Sequence, residues 1–258
     1  MAYILGVKVD AVTRQQAIDR VAEMMTGGEQ HYITTPNPEM LVAAQKDAEF
    51  RDILNRSSLA LPDGFGLILA GRLLGTPLPE RIAGSDFVFD IARFAGRNEY
   101  SMYLLGGRGD VAERAAEKLI ARFPDLKIVG AESGPAFPSS RAQSAAADEA
   151  EGSHTNVCKR ILDAAPDILL VALGHGKQEK WIAAHLTELP SVKIAMGVGG
   201  AFDFIAGRVR RAPKLMRALG LEWLWRLFLQ PWRILRIYRA VIVFSALLLR
   251  KYLTPRLK

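Results

Sequence analysis

The run Asp167-Ile168-Leu169-Leu170-Val171-Ala172-Leu173 constrains the fold of this 258-residue chain more than any other feature. A strand that is apolar on both faces needs cover on both, and helices supply it in a parallel sheet. Five further short apolar runs, His31–Thr35, Leu59–Leu61, Tyr100–Leu105, Lys127–Val129 and Val192–Gly197, read as strands, as does Ile168–Leu173 itself. Between them, Thr13–Met25, Pro38–Asn55, Phe65–Leu74, Ser85–Ala95, Val111–Phe123, Arg141–Ala164 and Lys177–Leu186 carry helical periodicity. The alternation predicts a parallel, doubly wound α/β domain. Half of the residues are hydrophobic, which excludes a disordered chain. The single cysteine, Cys158, excludes a disulfide-stapled secreted scaffold and favours a cytosolic location.

After Gly207 the alternation stops, and the charge changes with it. Arg208 to Lys258 holds 13 Lys and Arg against one acid, Glu222, a balance of +12. The preceding 207 residues hold 21 basic and 26 acidic residues, a balance of −5. We therefore expect a body over 1–207 and a basic, aromatic-rich appendage over 208–258 that seeks an anionic partner, either nucleic acid or an anionic membrane surface. Leu221 to Tyr252 is helical in composition, with a break expected at Pro231. On a helical wheel Arg226, Arg233, Arg236 and Arg239 fall within an arc of about 140°. Trp223, Trp225, Phe228 and Trp232 supply apolar bulk between them, as suits an interfacial helix. The alternative is a helix packed on the body with a solvated arginine face. The longest uncharged stretch here, Ala240–Leu249, has ten residues, whereas a spanning helix needs about 20. The N-terminal residues lack the pattern of a secretory signal, and residues 136–156 are the most linker-like.

In open parallel sheets, ligands bind beyond the carboxyl ends of the strands. Four segments fall there: Thr34-Thr35-Pro36-Asn37-Pro38-Glu39, Leu61-Pro62-Asp63-Gly64-Phe65-Gly66, Leu173-Gly174-His175-Gly176-Lys177-Gln178-Glu179-Lys180, and Gly197-Val198-Gly199-Gly200-Ala201-Phe202-Asp203. Each has a structural alternative. Asp63 could cap the helix starting near Gly64, Asp203 could be another cap, and the glycines could mark tight turns. No G-x-G-x-x-G, P-loop or G-x-S-x-G sequence appears, which argues against a dinucleotide enzyme, a P-loop kinase and a triad hydrolase. His31, His154, His175 and His185 show no metal-ligand spacing, and Cys158 reads as an inert, semi-buried thiol. Polar strand-end loops, helix N-termini and glycines suit a phosphorylated ligand. Arg81 and the Arg208/Arg210/Arg211 cluster could neutralise a diphosphate.

An ordered series of motifs covers nearly the whole chain: Thr35-Pro36-Asn37-Pro38-Glu39, Pro62-Asp63-Gly64, Arg81-Ile82-Ala83-Gly84-Ser85-Asp86, Tyr103-Leu104-Leu105-Gly106-Gly107, Gly174-His175-Gly176-Lys177-Gln178-Glu179, Gly197-Val198-Gly199-Gly200-Ala201-Phe202-Asp203-Phe204, Arg211-Ala212-Pro213 and Gly220-Leu221-Glu222-Trp223-Leu224-Trp225-Arg226-Leu227. It resembles the WecG/TagA/CpsF glycosyltransferase family. One departure is His175, where the family usually has Ser or Thr followed by Pro.

The resemblance implies a Rossmann-like core and an inverting transfer of a sugar, N-acetylmannosamine in the leading reading, from a UDP-sugar to an undecaprenyl-diphosphate-linked sugar in cell-surface polysaccharide or teichoic acid synthesis. It implies Asp63 as the base for the acceptor hydroxyl, with Thr35 and Asn37 orienting the sugars. The departing UDP would be met by Arg81, Gln178 and backbone amides at Gly106, Gly199 and Gly200, aided by Arg208 and Arg211, with Asp203 on the nucleotide and Glu179 among the substrate-binding residues. No metal is expected, and the appendage would hold the enzyme on the inner face of the cytoplasmic membrane. Transfer of glucose or N-acetylmannosaminuronic acid, and a non-enzymatic membrane or nucleic-acid module, stay open as alternatives. The interleaved tryptophans favour the membrane over nucleic acid, and a homo-oligomer is left open.

Overall fold

The computed structural model describes residues 1–135, 145–213, 215–216, 222–231 and 234–253. Six strands form one sheet: β3 (His31–Thr34), β4 (Leu59–Ala60), β5 (Ser101–Gly106), β6 (Lys127–Glu132), β7 (Ile168–Ala172) and β8 (Ile194–Gly197). Their order is β4-β3-β8-β7-β5-β6, with parallel pairing of β3 to β8, β8 to β7, β7 to β5 and β5 to β6. All six coincide with expected strands, and the Rossmann-like α/β class holds. Every residue of β7 is buried, as a run apolar on both faces requires. A short antiparallel hairpin, β1 (Ala2–Ile4) and β2 (Val7–Val9), stands apart and was not expected. Leu5 (φ 50°) and Gly6 (φ 81°) make its turn, both in the left-handed region that a two-residue type I′ hairpin demands.

The helices are α1 (Arg14–Thr26), α2 (Pro38–Ala44), α3 (Ala48–Arg56), α4 (Phe65–Leu73), α5 (Gly84–Arg97), α6 (Val111–Arg122), α7 (Ala145–Ala164), α8 (Lys177–His185), α9 (Ala201–Ile205), α10 (Glu222–Leu229), α11 (Ile234–Tyr238) and α12 (Phe244–Leu253). The stretch expected as one helix over Pro38–Asn55 is two, because Asp47 turns extended and its carboxylate accepts the Phe50 N–H (2.9 Å), starting α3. The linker expected over 136–156 is helical from Ala145, and 136–144 lie outside the described residues. In the tail, α10 ends before Pro231 as expected, and a π-helical segment, Arg239–Val243, joins α11 to α12. Gly220, Leu221, Trp232, Arg233 and the Arg226 side chain lie outside what is described, so the arginine arc is defined here only by Arg236 and Arg239.

The chain divides into two compact units. The first comprises Met1–Ala17, Thr34–Gly84 and Arg210–Lys258; the second comprises Ile18–Ile33 and Ser85–Val209. The residues from Arg210 onward join two N-terminal segments in one unit. The core of the first unit shows why. Phe244 and Leu248 are buried with Ile4, Val7, Met40, Leu41, Phe50 and Leu67. Arg236 adds a two-pronged pair with Glu39, Nε to Oε1 at 2.8 Å and Nη2 to Oε2 at 3.0 Å. The tail is therefore docked along α12. The second unit has its own core around Tyr103, Leu105, Ile161, Leu169, Val171, Trp181 and Ile182. Among the described residues no helix is long and apolar enough to cross a membrane.

Candidate active site

In the first unit, backbone hydrogen bonds lace three segments together at the ends of β3 and β4. Leu61 N–H donates to Thr34 O (2.9 Å), Asp63 N–H to Pro36 O (3.0 Å) and Ile82 N–H to Pro62 O (2.9 Å). This ladder continues the strands into the loops and fixes where Thr35, Asp63 and Arg81 stand. Asp63 does not cap α4, whose N-cap is Gly64 without a side-chain bond. Its Oδ2 instead accepts the N–H of Gly84, the first residue of α5, at 3.3 Å. A carboxylate there is favoured by the positive end of that helix.

Gly84 also touches Thr35. A Cβ built on Gly84 would lie 3.0 Å from Thr35 Cγ2 and 3.2 Å from its Oγ1. Asp63, Gly84 and buried Thr35 thus form one tight cluster. Gly84 stood in a quoted motif without a role; its sequence signal was only its place one residue before a helical stretch. Asn37 is the N-cap of α2, its Oδ1 accepting the Met40 N–H at 3.0 Å. Gly64 sits at φ 110°, where other residues are strained, and a Cβ there would come within 3.2 Å of Pro38 Cδ. The Arg81 guanidinium lies 5.3 Å from the Phe65 ring centroid and 3.8 Å from Glu222 Oε2. Arg211 belongs to the same unit and is half-buried.

The second unit carries the remaining candidates. Gln178 and Glu179, both on the first turn of α8, are buried. Gln178 Nε2 donates to Glu179 Oε1 (2.7 Å), while its Oε1 accepts the Gly199 N–H (2.9 Å). Glu179 Oε2 accepts the Gly176 N–H at 2.6 Å. The two side chains therefore cross-link the loop after β7 to the loop after β8. Gly197 must be glycine for this to happen: a Cβ there would stand 2.6 Å from Gln178 Nε2 and 3.0 Å from Glu179 Oε1. Burial pushes the Glu179 carboxyl up to about 7, against the opposing pull of its hydrogen bonds from Gln178, its own N–H and Gly176.

In this arrangement the Gly199 amide donates to the Gln178 side chain. Gly106 (φ 118°) admits no side chain, since a Cβ would fall 2.6 Å from the Ala172 carbonyl. The next amide, Gly107 N–H, donates to Ala172 O (3.1 Å). Gly200 is the N-cap of α9. Asp203 is half-buried in the first turn of that helix, and its carbonyl accepts the Val209 N–H at 3.1 Å. Arg208 Nη1 donates to Arg108 O at 3.2 Å on the surface. The structure thus gathers Thr35, Asn37, Asp63 and Arg81 in the first unit, and Gly106, Gln178, Glu179, Gly199, Gly200, Asp203 and Arg208 in the second.

A parallel sheet whose strand-end loops present a carboxylate, glycine turns and arginines has the architecture of the ligand-binding α/β enzymes, whose sites lie beyond the carboxyl ends of the strands. Residues 2–258 match the model of the glycosyl transferase WecG/TagA/CpsF family. The chain is 36% identical over 213 residues to the N-acetylglucosaminyldiphosphoundecaprenol N-acetyl-beta-D-mannosaminyltransferase of Bacillus subtilis (strain 168), covering 80% of this chain and 77% of that one. It is 31% identical over 236 residues to the protein of the same name from Staphylococcus aureus (strain MRSA252), covering 91% and 87%. The chain belongs to the WecG/TagA/CpsF family and is a glycosyltransferase.

Proposed function

We propose that this chain transfers N-acetylmannosamine from UDP-N-acetylmannosamine to N-acetylglucosaminyl-diphosphoundecaprenol, inverting the anomeric centre, in the assembly of a cell-surface polymer. The reading rests chiefly on relatives that bear this activity in their names and align along most of their length. Asp63 takes the proton of the acceptor hydroxyl as its oxygen attacks C1, and the bond from C1 to the UDP oxygen breaks. The Gly84 N–H holds one carboxylate oxygen of Asp63, so the base is oriented before the acceptor arrives. Thr35 and Asn37 position the sugars. We assign the charge that develops on UDP to Arg81, Arg208 and Arg211, with no metal in the chemical step.

We further propose that the tail holds the enzyme on an anionic membrane surface, on the cytoplasmic side where its lipid-linked acceptor is anchored. Phe244 and Leu248 occupy the core, yet Phe228, Ile234, Leu235, Tyr238, Ile242 and Leu249 remain exposed on the same stretch of chain. Large apolar side chains interspersed with Arg236, Arg239, Arg250 and Lys251 suit an interface of lipid headgroups and acyl chains.

The test is a UDP-release screen over UDP-N-acetylmannosamine, UDP-N-acetylmannosaminuronic acid and UDP-glucose, with a short-chain N-acetylglucosaminyl-diphospho-lipid as acceptor. Acceptor-dependent release with the first donor, unchanged by EDTA, is the expected result. Selective use of another donor would overturn the sugar assignment. Co-sedimentation with anionic but not neutral vesicles checks the membrane reading.

A further inference from the structure

The second unit contains a cluster of side chains that the transfer reaction does not use. Cys158 on α7 is distant in sequence from His185 at the end of α8 and Glu188 in the 3₁₀ turn that follows it, two residues one helical turn apart. Folding brings the sulfur, one ring nitrogen and one carboxylate oxygen within 4.8 Å of one another. We propose that these three residues bind a borderline-soft transition-metal dication of the zinc class.

The geometry is close to what such an ion needs. His185 Nδ1 and Glu188 Oε2 are 3.3 Å apart. Two ligands about 2.0–2.1 Å from a tetrahedral zinc are separated by roughly 3.3 Å, the spacing at which these two groups now share a hydrogen bond. A zinc–sulfur bond of about 2.3 Å puts the sulfur roughly 3.5 Å from either partner, which asks Cys158 to close by little more than about 1 Å.

The donors also select the ion. Thiolate and imidazole with one carboxylate suit zinc, cobalt or iron, whereas magnesium and calcium prefer all-oxygen shells. The imidazole is held for the task. Trp181 lies against the His185 ring with centroids 4.9 Å apart, and His154 stacks on it at 5.9 Å. His154 is itself held by the Trp181 indole N–H, which donates to its Nδ1 at 3.0 Å. Both ring contacts limit rotation of the His185 imidazole. Cys158 is buried and Glu188 is exposed, so the ion would enter from solvent and meet the thiol last. On binding, the thiol proton leaves to solvent, and water takes the fourth position. The ion would tie α7 to the connection leading into β8, within the second unit.

Cobalt titration of the untagged, metal-stripped full chain tests the site. The chain has one cysteine, so any thiolate-to-cobalt charge-transfer band in the near ultraviolet must come from Cys158. One equivalent of Co2+ should bind with that band and be displaced by Zn2+. Cys158→Ser should abolish the band. Glu188→Gln, at an exposed position that tolerates substitution, should weaken binding at least about 10-fold, since even loss of an outer partner costs 10–100-fold. No stoichiometric uptake, uptake without the band, or unchanged affinity in Glu188→Gln would each overturn the proposal. Because the assay reads metal alone, its failure leaves the glycosyltransferase reading untouched.

Discussion

Arg81 faces Glu222, the one acid between Arg208 and Lys258, across 3.8 Å, and both side chains are only 18% exposed. A basic segment that keeps a single carboxylate and sets it against an arginine of its own unit has a use for that pair. Two uses are separable. Glu222 could position Arg81 for a diphosphate, or the pair could simply fasten α10. The double exchange Arg81→Glu with Glu222→Arg restores opposite charges in contact but moves the guanidinium. Under the proposed function it recovers thermal stability toward wild type, while UDP release stays as low as in Arg81→Glu alone. Recovery of transfer in the exchanged protein would show that Arg81 acts only as a fastener. Differential scanning fluorimetry and the UDP-release assay on the same samples provide both readings.

Asp63→Asn should lower transfer by about 10²-fold or more, the scale of a lost general base. The fold should survive, because the asparagine Oδ1 can still accept the Gly84 N–H that Asp63 Oδ2 accepts now at 3.3 Å. A loss of activity with an unchanged melting temperature supports the base. Turnover near wild type removes Asp63 from the chemistry.

The sequence pattern carried the sheet well and the side-chain partnerships poorly, for a physical reason. Burial on both faces leaves a continuous apolar run, so β7 and β8 are readable locally, as is the stop at Pro231. The β1/β2 hairpin escaped because its strands are three residues each and its turn is Leu5-Gly6, without the Asn-Gly or Asp-Gly that marks such turns. Asp63 looked like a cap for the helix beside it, but its hydrogen bond goes 21 residues onward to Gly84. The Gln178–Gly199 bond also spans 21 residues, and the Cys158–His185–Glu188 cluster joins separate helices. Nothing in local periodicity encodes these partners. The ordered family motifs fall in the loops that follow the strands without showing which neighbour each side chain bonds.

Gly84 tests how tightly the Asp63 cluster is built. Ala at this position puts a methyl carbon 3.0 Å from Thr35 Cγ2, inside normal contact distance. Overpacking of this kind costs about 1–3 kcal/mol, and here it also pushes Thr35 away from its place beside Asp63. Gly84→Ala should therefore lose both stability, measured by urea unfolding, and transfer rate. Thr35→Ser deletes the closest of the three tight contacts, the methyl, and keeps the hydroxyl at 3.2 Å. Added to Gly84→Ala, it should recover part of the stability and part of the rate. A double variant no better than the single one would place the strain elsewhere.

Glu179 predicts a pH dependence of stability with a definite sign. Its carboxyl is raised to about 7 in the folded chain from an ordinary 4.5, with desolvation as the main cause. Between those values the folded state holds a proton that the unfolded state has released, so stability falls as pH rises through the window. Below it both states are protonated and above it both are ionised, and this group adds no slope. A shift of this size corresponds to about 3 kcal/mol across the window. Glu179→Gln removes the titration. It also sets an amide against the Gly176 N–H and the Gln178 Nε2, both donors to Glu179 now, so a constant loss of stability is expected at every pH. The slope is the readout: urea midpoints of wild type and variant, taken at half-unit steps from pH 4.5 to 8, should converge as pH rises to 7 and then run parallel. Curves parallel throughout would mean that Glu179 is ionised across the whole range.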